Sequence, residues 1–379
     1  MSLILTEEQE LIQQGAAEFL KEHAPVTHLR ALRDSADPIG FSKAVWKQMA
    51  ELGWAGIPFA EDLGGAGLGL ADLGVVVEQC GRTLAPYPFL STVVLGGGAL
   101  ALGGSPAMQT KILPGVCQGE TLLALAFQET SRFDPYAIET KAEPNGQGHR
   151  LTGKKIFVLD GHVADHLIVA ARTRGKTGER AGITLFLVDP ASEGCTVERT
   201  LMVDSRNAAN VTLADVRVPQ DAVIGKLDEG AAILDAVFDR ACAVLSAEMV
   251  GLIGEVFERT VEYLKTREQF GVKIGSFQAL KHRAAEMFCE VELSKSITLE
   301  ALRALDEDRP HAARIVSAAK ARCSDTAGLV TREGLQMHGG IGMTDEEEIG
   351  LFLKRAKVAE LTLGDGAWHR DRFARLTGF

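Results

Sequence analysis

The chain has little to offer a nucleic acid. Its 40 lysines and arginines are outnumbered by 51 aspartates and glutamates, for a formal net charge of −11. Without a broad basic face, nucleic-acid binding is set aside, although a local basic cluster can still hold an anionic cofactor. Paired cysteines are also missing. Cys80, Cys117, Cys195, Cys242, Cys289 and Cys323 are scattered, with no CxxC and no metal-ligand spacing. They read as small buried thiols in a reducing compartment, and no metal site is expected. No apolar run is long enough to span a bilayer; the stretch at 92–103 is short and rich in Gly and Ala. The opening MSLILTEEQELI lacks a basic leader followed by a long apolar run. It is no secretory signal, and a cytoplasmic protein without membrane association is expected. The glycines of GGAGLGLADLGVVVEQCGRTL have neither a preceding strand nor a Lys-Ser/Thr ending, so they read as a flexible turn rather than a phosphate cradle.

What is present is ordinary globular composition, 46% hydrophobic and 24% charged over 379 residues. That length predicts two or three domains around substantial cores. Thr6 and Gln9 form a capping box ahead of Leu11, Ile12, Phe19 and Leu20, which fall on one helical face. A second helix is predicted from near Ser42, through Val45, Trp46 and Met49, to Gly53. Helical, alanine-rich text continues to about residue 118. Between 121 and 218 the text breaks into short β-like runs (TLLALAF, IETKAE, KKIFVLD, DHLIVAAR, ITLFLVD, VTLADVRV) with turn residues between them. Such runs, without intervening helices, argue for an antiparallel barrel or sandwich. Long helical stretches then follow at 231–266, 276–305 and 310–336, with shorter ones near 346–360 and 366–376, as in a helical bundle. The division expected is 1–118, 119–222 and 223–379.

Two blocks carry chemistry. The first, TREQFGVKIGSFQ at 266–278, holds Arg267, whose guanidinium is a fork of donors suited to phosphate. Phe270 offers a flat apolar face, and Gly271 lets the backbone turn. The second, LQMHGGIGMT at 335–344, supplies Gln336 and the paired Gly339 and Gly340 at the end of another helical stretch. Alone, the first block reads more readily as a surface arginine beside a core phenylalanine.

Together the blocks, in a helix–strand–helix layout spanning nearly the whole chain, resemble the acyl-CoA dehydrogenase family of flavoproteins. The resemblance implies a mainly α fold: a helical N-terminal domain, a central β-barrel and a C-terminal four-helix bundle. It implies FAD as cofactor. Arg267 would meet the pyrophosphate of a flavin held mostly by a neighbouring subunit, and Phe270 its adenine end. Gln269 and Gln278 would line the same groove, and Gln336, Gly339 and Gly340 would approach the adenosine. His338, within that motif, is read as structural. Phe157 matches an aromatic position packed on the flavin, though it reads equally as a buried strand phenylalanine. Gln128-Glu129 stands where the family has a Thr-Glu or Ser-Glu pair. The implied reaction is α,β-dehydrogenation: a carboxylate removes the proton α to the thioester as a hydride leaves the β-carbon. Donors in a dry pocket stabilise the developing enolate. The implied partners are an acyl-CoA substrate, electron-transfer flavoprotein and a second chain, identical or related.

The departures are as specific. Aligned on Ala356-Lys357 and Gly364, the usual base position falls on Leu363. Counted back from Arg267, the alternative position falls on Ala241. Neither can take a proton. Two acids stand two residues away: Asp239, read also as a surface charge beside Arg240, and Asp365, read also as a turn or cap residue. Leu159 replaces a threonine that donates to the flavin, and TSRFDPYAIET at 130–140 replaces a glycine-serine segment that contacts phosphates, with Arg132 as a possible electrostatic substitute. Three functions stay open: a dehydrogenase with a relocated base, a partner subunit completing an FAD site in a mixed assembly, and a flavin oxidase on the same fold. The first, alone or in a complex, is favoured.

Overall fold

The structure, a computed structural model, describes residues 4–379. In chain order, helices α1 (Glu7–His23), α2 (Val26–Asp34), α3 (Lys43–Glu51) and α4 (Leu70–Thr83) lead into a π-helical stretch, Phe89–Gly97. Helices α5 (Gly98–Gly103) and α6 (Pro106–Cys117) follow. The strands are β1 (Leu123–Ala126), β2 (Lys141–Pro144), β3 (Gly148–Leu159), β4 (His166–Arg172), β5 (Ile183–Val188), β6 (Cys195–Leu201), β7 (Asn207–Pro219) and β8 (Val223–Ile224). Then come α7 (Gly230–Thr266), the two short strands β9 (Glu268–Gln269) and β10 (Val272–Lys273), and α8 (Gln278–Asp306). Helices α9 (Ala312–His338), α10 (Ile349–Leu361) and α11 (Gly366–Thr377) end the chain. Helices therefore precede and follow a middle sheet. The long helices stand within a few residues of their predicted bounds; α2, β6, β8, the β9–β10 pair and the π-helical stretch were not foreseen.

The chain divides into two compact units. One holds the residues up to Asp34, Leu70–Pro86 and Cys242–Phe379; the other holds Ser35–Gly69 and Tyr87–Ala241.

In the first unit, α9 packs against α8, α10 and α11, and α4 packs against α1 and α8. The capping box at Thr6 and Gln9 opens α1, which buries Ala16 and Leu20; Leu11, expected on the same face, is exposed. The backbones of α4 and α7 come so close that a Cβ on Gly251 would lie 1.8 Å from the Glu78 carbonyl, and one on Gly81 2.0 Å from that of Glu248. Only glycine permits this approach. Beside it, Arg355 and Glu248 form a buried ion pair at 3.2 Å, their side chains 1% and 4% exposed. The first two amides of α4 donate to the Asp306 carboxylate at 2.7 and 2.9 Å, a remote residue doing the work of an N-cap.

In the second unit the sheet runs β6-β7-β3-β2-β4-β5-β8, with β1 also paired to β4. Most pairs are antiparallel, as expected, but β1 and β2 each lie parallel to β4. The path is open: among the described residues no ladder joins β6 to β8. Alternation puts Leu151, Val158, Leu167, Val169, Phe186, Val211 and Leu213 into one core. The π-helical stretch lies against β1, and a Cβ on Gly96 would come within 2.4 Å of Leu123 Cβ. The Thr92 hydroxyl donates to the Leu123 carbonyl and accepts from its amide, both at 3.1 Å. None of the six cysteines is in a disulfide, and Cys289 alone is exposed. Among the described residues, no helix is long and apolar enough to cross a membrane.

Candidate functional site

The first unit presents the two motif blocks side by side. Helix α7 ends at Thr266, and the Arg267 amide still donates to the Tyr263 carbonyl at 2.9 Å. The chain then reverses through a hairpin in which Gln269 pairs with Val272. Phe270 and Gly271 form its tip at φ 55° and 78°. Two successive positive φ angles match the twist of a two-residue hairpin, but asparagine, not phenylalanine, suits the first position. Phe270 is also 91% exposed, its edge toward Phe277 with centroids 6.2 Å apart. A large ring that is both in water and in left-handed backbone is poorly explained by the packing of its own chain. The Arg267 side chain is exposed and makes no ion pair among the described residues. Gln269 is exposed in the hairpin, and Gln278, exposed, is the first residue of α8.

The second block leaves from the end of α9. Gln336, Gly339 and Gly340 are exposed. Gly339 is held at φ 65°, which accounts for its glycine. Gly340 is not left-handed, and a Cβ there would meet nothing within 4 Å. A side chain at 340 would therefore meet open space, and the backbone there is bare. His338 is buried, its Nδ1 2.7 Å from the Gly334 carbonyl, and it stacks on Tyr263 with centroids 4.5 Å apart at 25°. The stacked pair ties the end of α7 to the end of α9, so both blocks start from adjacent helix ends. An unpaired guanidinium, an exposed ring and a bare glycine backbone are a donor set that fits the anionic and aromatic parts of a dinucleotide.

In the second unit, Phe157 sits in a bulge between the pairs Lys155–Val211 and Val158–Ala209. It has φ 51° and is 45% exposed, so it is no ordinary buried strand residue. Bulges re-aim side chains in this way beside sites. The Gln128 carbonyl accepts from the Ile156 amide at 2.8 Å, and its side-chain amide donates to the Thr130 carbonyl at 2.9 Å. Glu129 holds this corner. Its carboxylate accepts from the Glu139 and Thr140 amides and from Lys155, which is fully buried and also donates to the Phe127 carbonyl at 3.3 Å. Burial pushes the Glu129 carboxyl up, but the Lys155 charge and these hydrogen bonds outweigh it and hold it below its ordinary value. Burial pulls Lys155 down to about 8 against the opposing pull of Glu129. The 130–140 segment, with Arg132 exposed, packs Phe133 against Phe127 and Phe238 and bonds the Tyr136 hydroxyl to Asp235 at 2.6 Å.

The base positions are apolar and buried. Ala241 is on α7, and Leu363, at φ 58°, is in the turn between α10 and α11. Asp239 is on α7 and 8% exposed. Asp365 caps α11, accepting from the Trp368 amide at 2.8 Å. Sequence reasoning passed over Lys155, Lys320 and His369. For Lys155 a signal existed: adjacent strand residues point to opposite faces, so Lys154 and Lys155 cannot both reach water from a half-buried strand.

Three family models match the chain: "Acyl-CoA dehydrogenase, N-terminal domain" over residues 6–120, "middle domain" over 125–216 and "C-terminal domain" over 228–377. A mitochondrial isovaleryl-CoA dehydrogenase from Pongo abelii is 30% identical over 369 residues, covering 95% of this chain and 86% of that protein. Among solved structures, a Tcur3481-Tcur3483 steroid ACAD variant is 32% identical with a TM-score of 0.87, covering 98% of each chain. The ChsE4-ChsE5 complex from Mycobacterium tuberculosis is 26% identical with a TM-score of 0.89, covering 100% of each chain.

Proposed function

Because the chain belongs to the acyl-CoA dehydrogenase family, we propose that it is an FAD-binding subunit for the α,β-dehydrogenation of an acyl-CoA thioester, working with a related chain that brings the carboxylate base. The observation that carries this reading is the pairing of two buried, proton-inert residues, Ala241 and Leu363, with cofactor motifs that stay exposed. Two structural relatives are named as pairs of differently named chains, which supports a mixed assembly.

When bound, FAD supplies the acceptor for the β-hydride. This chain's residues would do the rest. Arg267 would neutralise the pyrophosphate, Phe270 would cover the adenine, and the bare backbone at Gly340 would allow close approach. Gln269, Gln278 and Gln336 would bond the polar rim, and Phe157 and Gln128 would face the flavin end. The domain bounds 1–118, 119–222 and 223–379, a barrel-like middle domain and a C-terminal four-helix bundle belong to the same reading, as does electron-transfer flavoprotein as acceptor.

Purified full-length protein should carry a flavin absorbance band. A panel of acyl-CoA thioesters should bleach it only when the related chain is added. Bleaching by this chain alone would favour a second reading, which the burial of Asp239 keeps open: a self-sufficient dehydrogenase with Asp239 as base. Asp239→Asn would then abolish bleaching. Asp365→Asn tests the other acid cleanly, since asparagine caps a helix as well as aspartate does. A colourless protein that takes up no FAD would sink both readings.

A further inference from the structure

The least expected group in the first unit is a lysine with no acid bonded to it. Lys320 of α9 is fully buried. Its Nζ donates to the Gly364 carbonyl at 2.8 Å, the Glu360 carbonyl at 3.0 Å and Ser324 Oγ at 3.3 Å. An ammonium has three N–H groups, and here each meets one acceptor. A neutral amine would turn its lone pair on one of them. Burial pulls this lysine down to about 8, against the pull of the groups facing it: the thiols of Cys242 on α7 and Cys323 on α9, and the carboxyl groups of Glu360 on α10 and Asp365 at the start of α11. It therefore keeps its proton at neutral pH. Burial pushes the Cys323 thiol up, so that neighbour is not an anion.

Two of the three acceptors belong to the end of α10 and the turn after it. In that turn Leu363 and Gly364 are both left-handed, at φ 58° and 97°. A left-handed leucine is strained, and such strain lasts only where its surroundings over-determine it. Here they do. Lys320 grips the Gly364 carbonyl, and His369 Nε2 lies 3.0 Å from the Leu363 carbonyl. Burial, then the nearby Lys320 charge, pulls His369 down to about 3, so it is neutral and its one N–H is the donor. Asp365 fixes the far side of the turn as the cap of α11. A methionine would fill the space of Lys320 without the desolvation of a charge. The charge is explained by the carbonyls it holds.

We propose that Lys320 and His369 are positioning residues that clamp the 362–365 turn from two consecutive carbonyls and so present residue 363 in a single left-handed geometry. The seat at which the family carries its base is kept in this chain, although the residue in it is leucine. The clamp stands on geometry alone; only the meaning of the seat rests on the dehydrogenase reading.

The test uses the full chain and follows amide hydrogen exchange across 362–369. In Lys320→Met and in His369→Phe, exchange there should quicken by about tenfold or more, the factor that one lost hydrogen bond corresponds to, with the middle of α7, α8 and α9 unchanged. His369→Gln, which keeps an N–H at similar reach, should restore slow exchange, a rescue that simple filling of space does not predict. If Lys320→Met fails to fold, the two His369 variants decide. Unchanged exchange, or quickening spread evenly through the helices, overturns the clamp. In flavin-loaded protein without the related chain, Leu363→Glu should confer bleaching by acyl-CoA at about tenfold or more over the wild-type background, and adding Lys320→Met should remove the gain at equal flavin content. No gain from Leu363→Glu overturns the claim that residue 363 is aimed. A wild-type chain without flavin instead refutes the dehydrogenase reading, and the exchange result still decides the clamp.

Discussion

Lys155 in the sheet-containing unit and Lys320 in the helical unit are both cut off from water, both protonated at neutral pH, and held in opposite ways. Lys155 faces a carboxylate, Glu129, which also collects two backbone amides. Lys320 faces two carbonyls and a hydroxyl. Both fix backbone beside a position that the family reading makes functional: Gln128 and Phe157 in one case, Leu363 in the other. A buried cation is thus not a sign of an ion pair. What the two share is a hold on backbone carbonyls at or just past the end of an element: Phe127 after β1 for Lys155, and Glu360 and Gly364 at and after the end of α10 for Lys320.

The comparison predicts unequal losses. Lys155→Met leaves Glu129 buried without its cation, and about 3–5 kcal/mol of stability should go with it. Adding Glu129→Gln should return part of that, because the amide no longer holds a stranded charge. Lys320→Met strands only neutral acceptors and should cost less. Urea unfolding, read by hydrogen exchange within each unit, measures both, and a larger loss at Lys320 would break the contrast.

The clamp's second member sharpens the contrast at acid pH. His369 stays neutral down to about 3 when folded, against an ordinary value of 6.5. The unfolded chain takes up its proton through 6.5 while the folded chain does not, so stability is intact above that and is lost as pH falls toward 3. Between pH 6.5 and 4.5 the loss should reach about 2–3 kcal/mol. Comparing wild type with His369→Gln isolates it, since glutamine carries no such proton; equal acid slopes would contradict the assignment.

At alkaline pH the two lysines should behave alike. Each is near 8 when folded and 10.5 when free. Below 8 both states are protonated and the burial penalty is complete. From 8 to 10.5 the unfolded chain holds more protons, so stability rises with pH, by about 1 kcal/mol per lysine between pH 8 and 9. Lys320→Met should lose its share of that rise and leave the share of Lys155.

How much of this was legible depended on periodicity. The helices from residue 230 on repeat their apolar positions over many turns, and their bounds came out within a few residues. The π-helical FLSTVVLGG is buried along its whole length, so no period marks it. Parallel pairing of β1 and β2 with β4 follows from how the chain returns, not from alternation within a strand. Lys320 stands in SAAKARCSD, where a lysine on a helix reads as a solvated face; nothing local says that its two carbonyl partners lie some forty residues on. The placement of the motif blocks at helix ends was legible because its signals are local: glycines beside the last helical residues.

The smallest effect is the most pointed. The hairpin tip Phe270-Gly271 needs positive φ at both residues, and Asn-Gly is the pair that the turn prefers. Phe270 buries almost nothing in this chain. Phe270→Asn should therefore leave the helical unit slightly more stable, by about 0.5–1 kcal/mol, by relieving left-handed strain. On the proposed reading the same change also removes a ring that covers the adenine, so FAD affinity should fall by about tenfold or more, as for loss of an aromatic stacking contact of about 1–3 kcal/mol. A chain that loses stability with this substitution, or binds FAD as before, would mean that the ring serves the hairpin and not a ligand. If stability rises while affinity falls, the left-handed Phe270 marks a place where the fold gives up local comfort for a group outside the chain, whereas Leu363 is held left-handed by groups inside it.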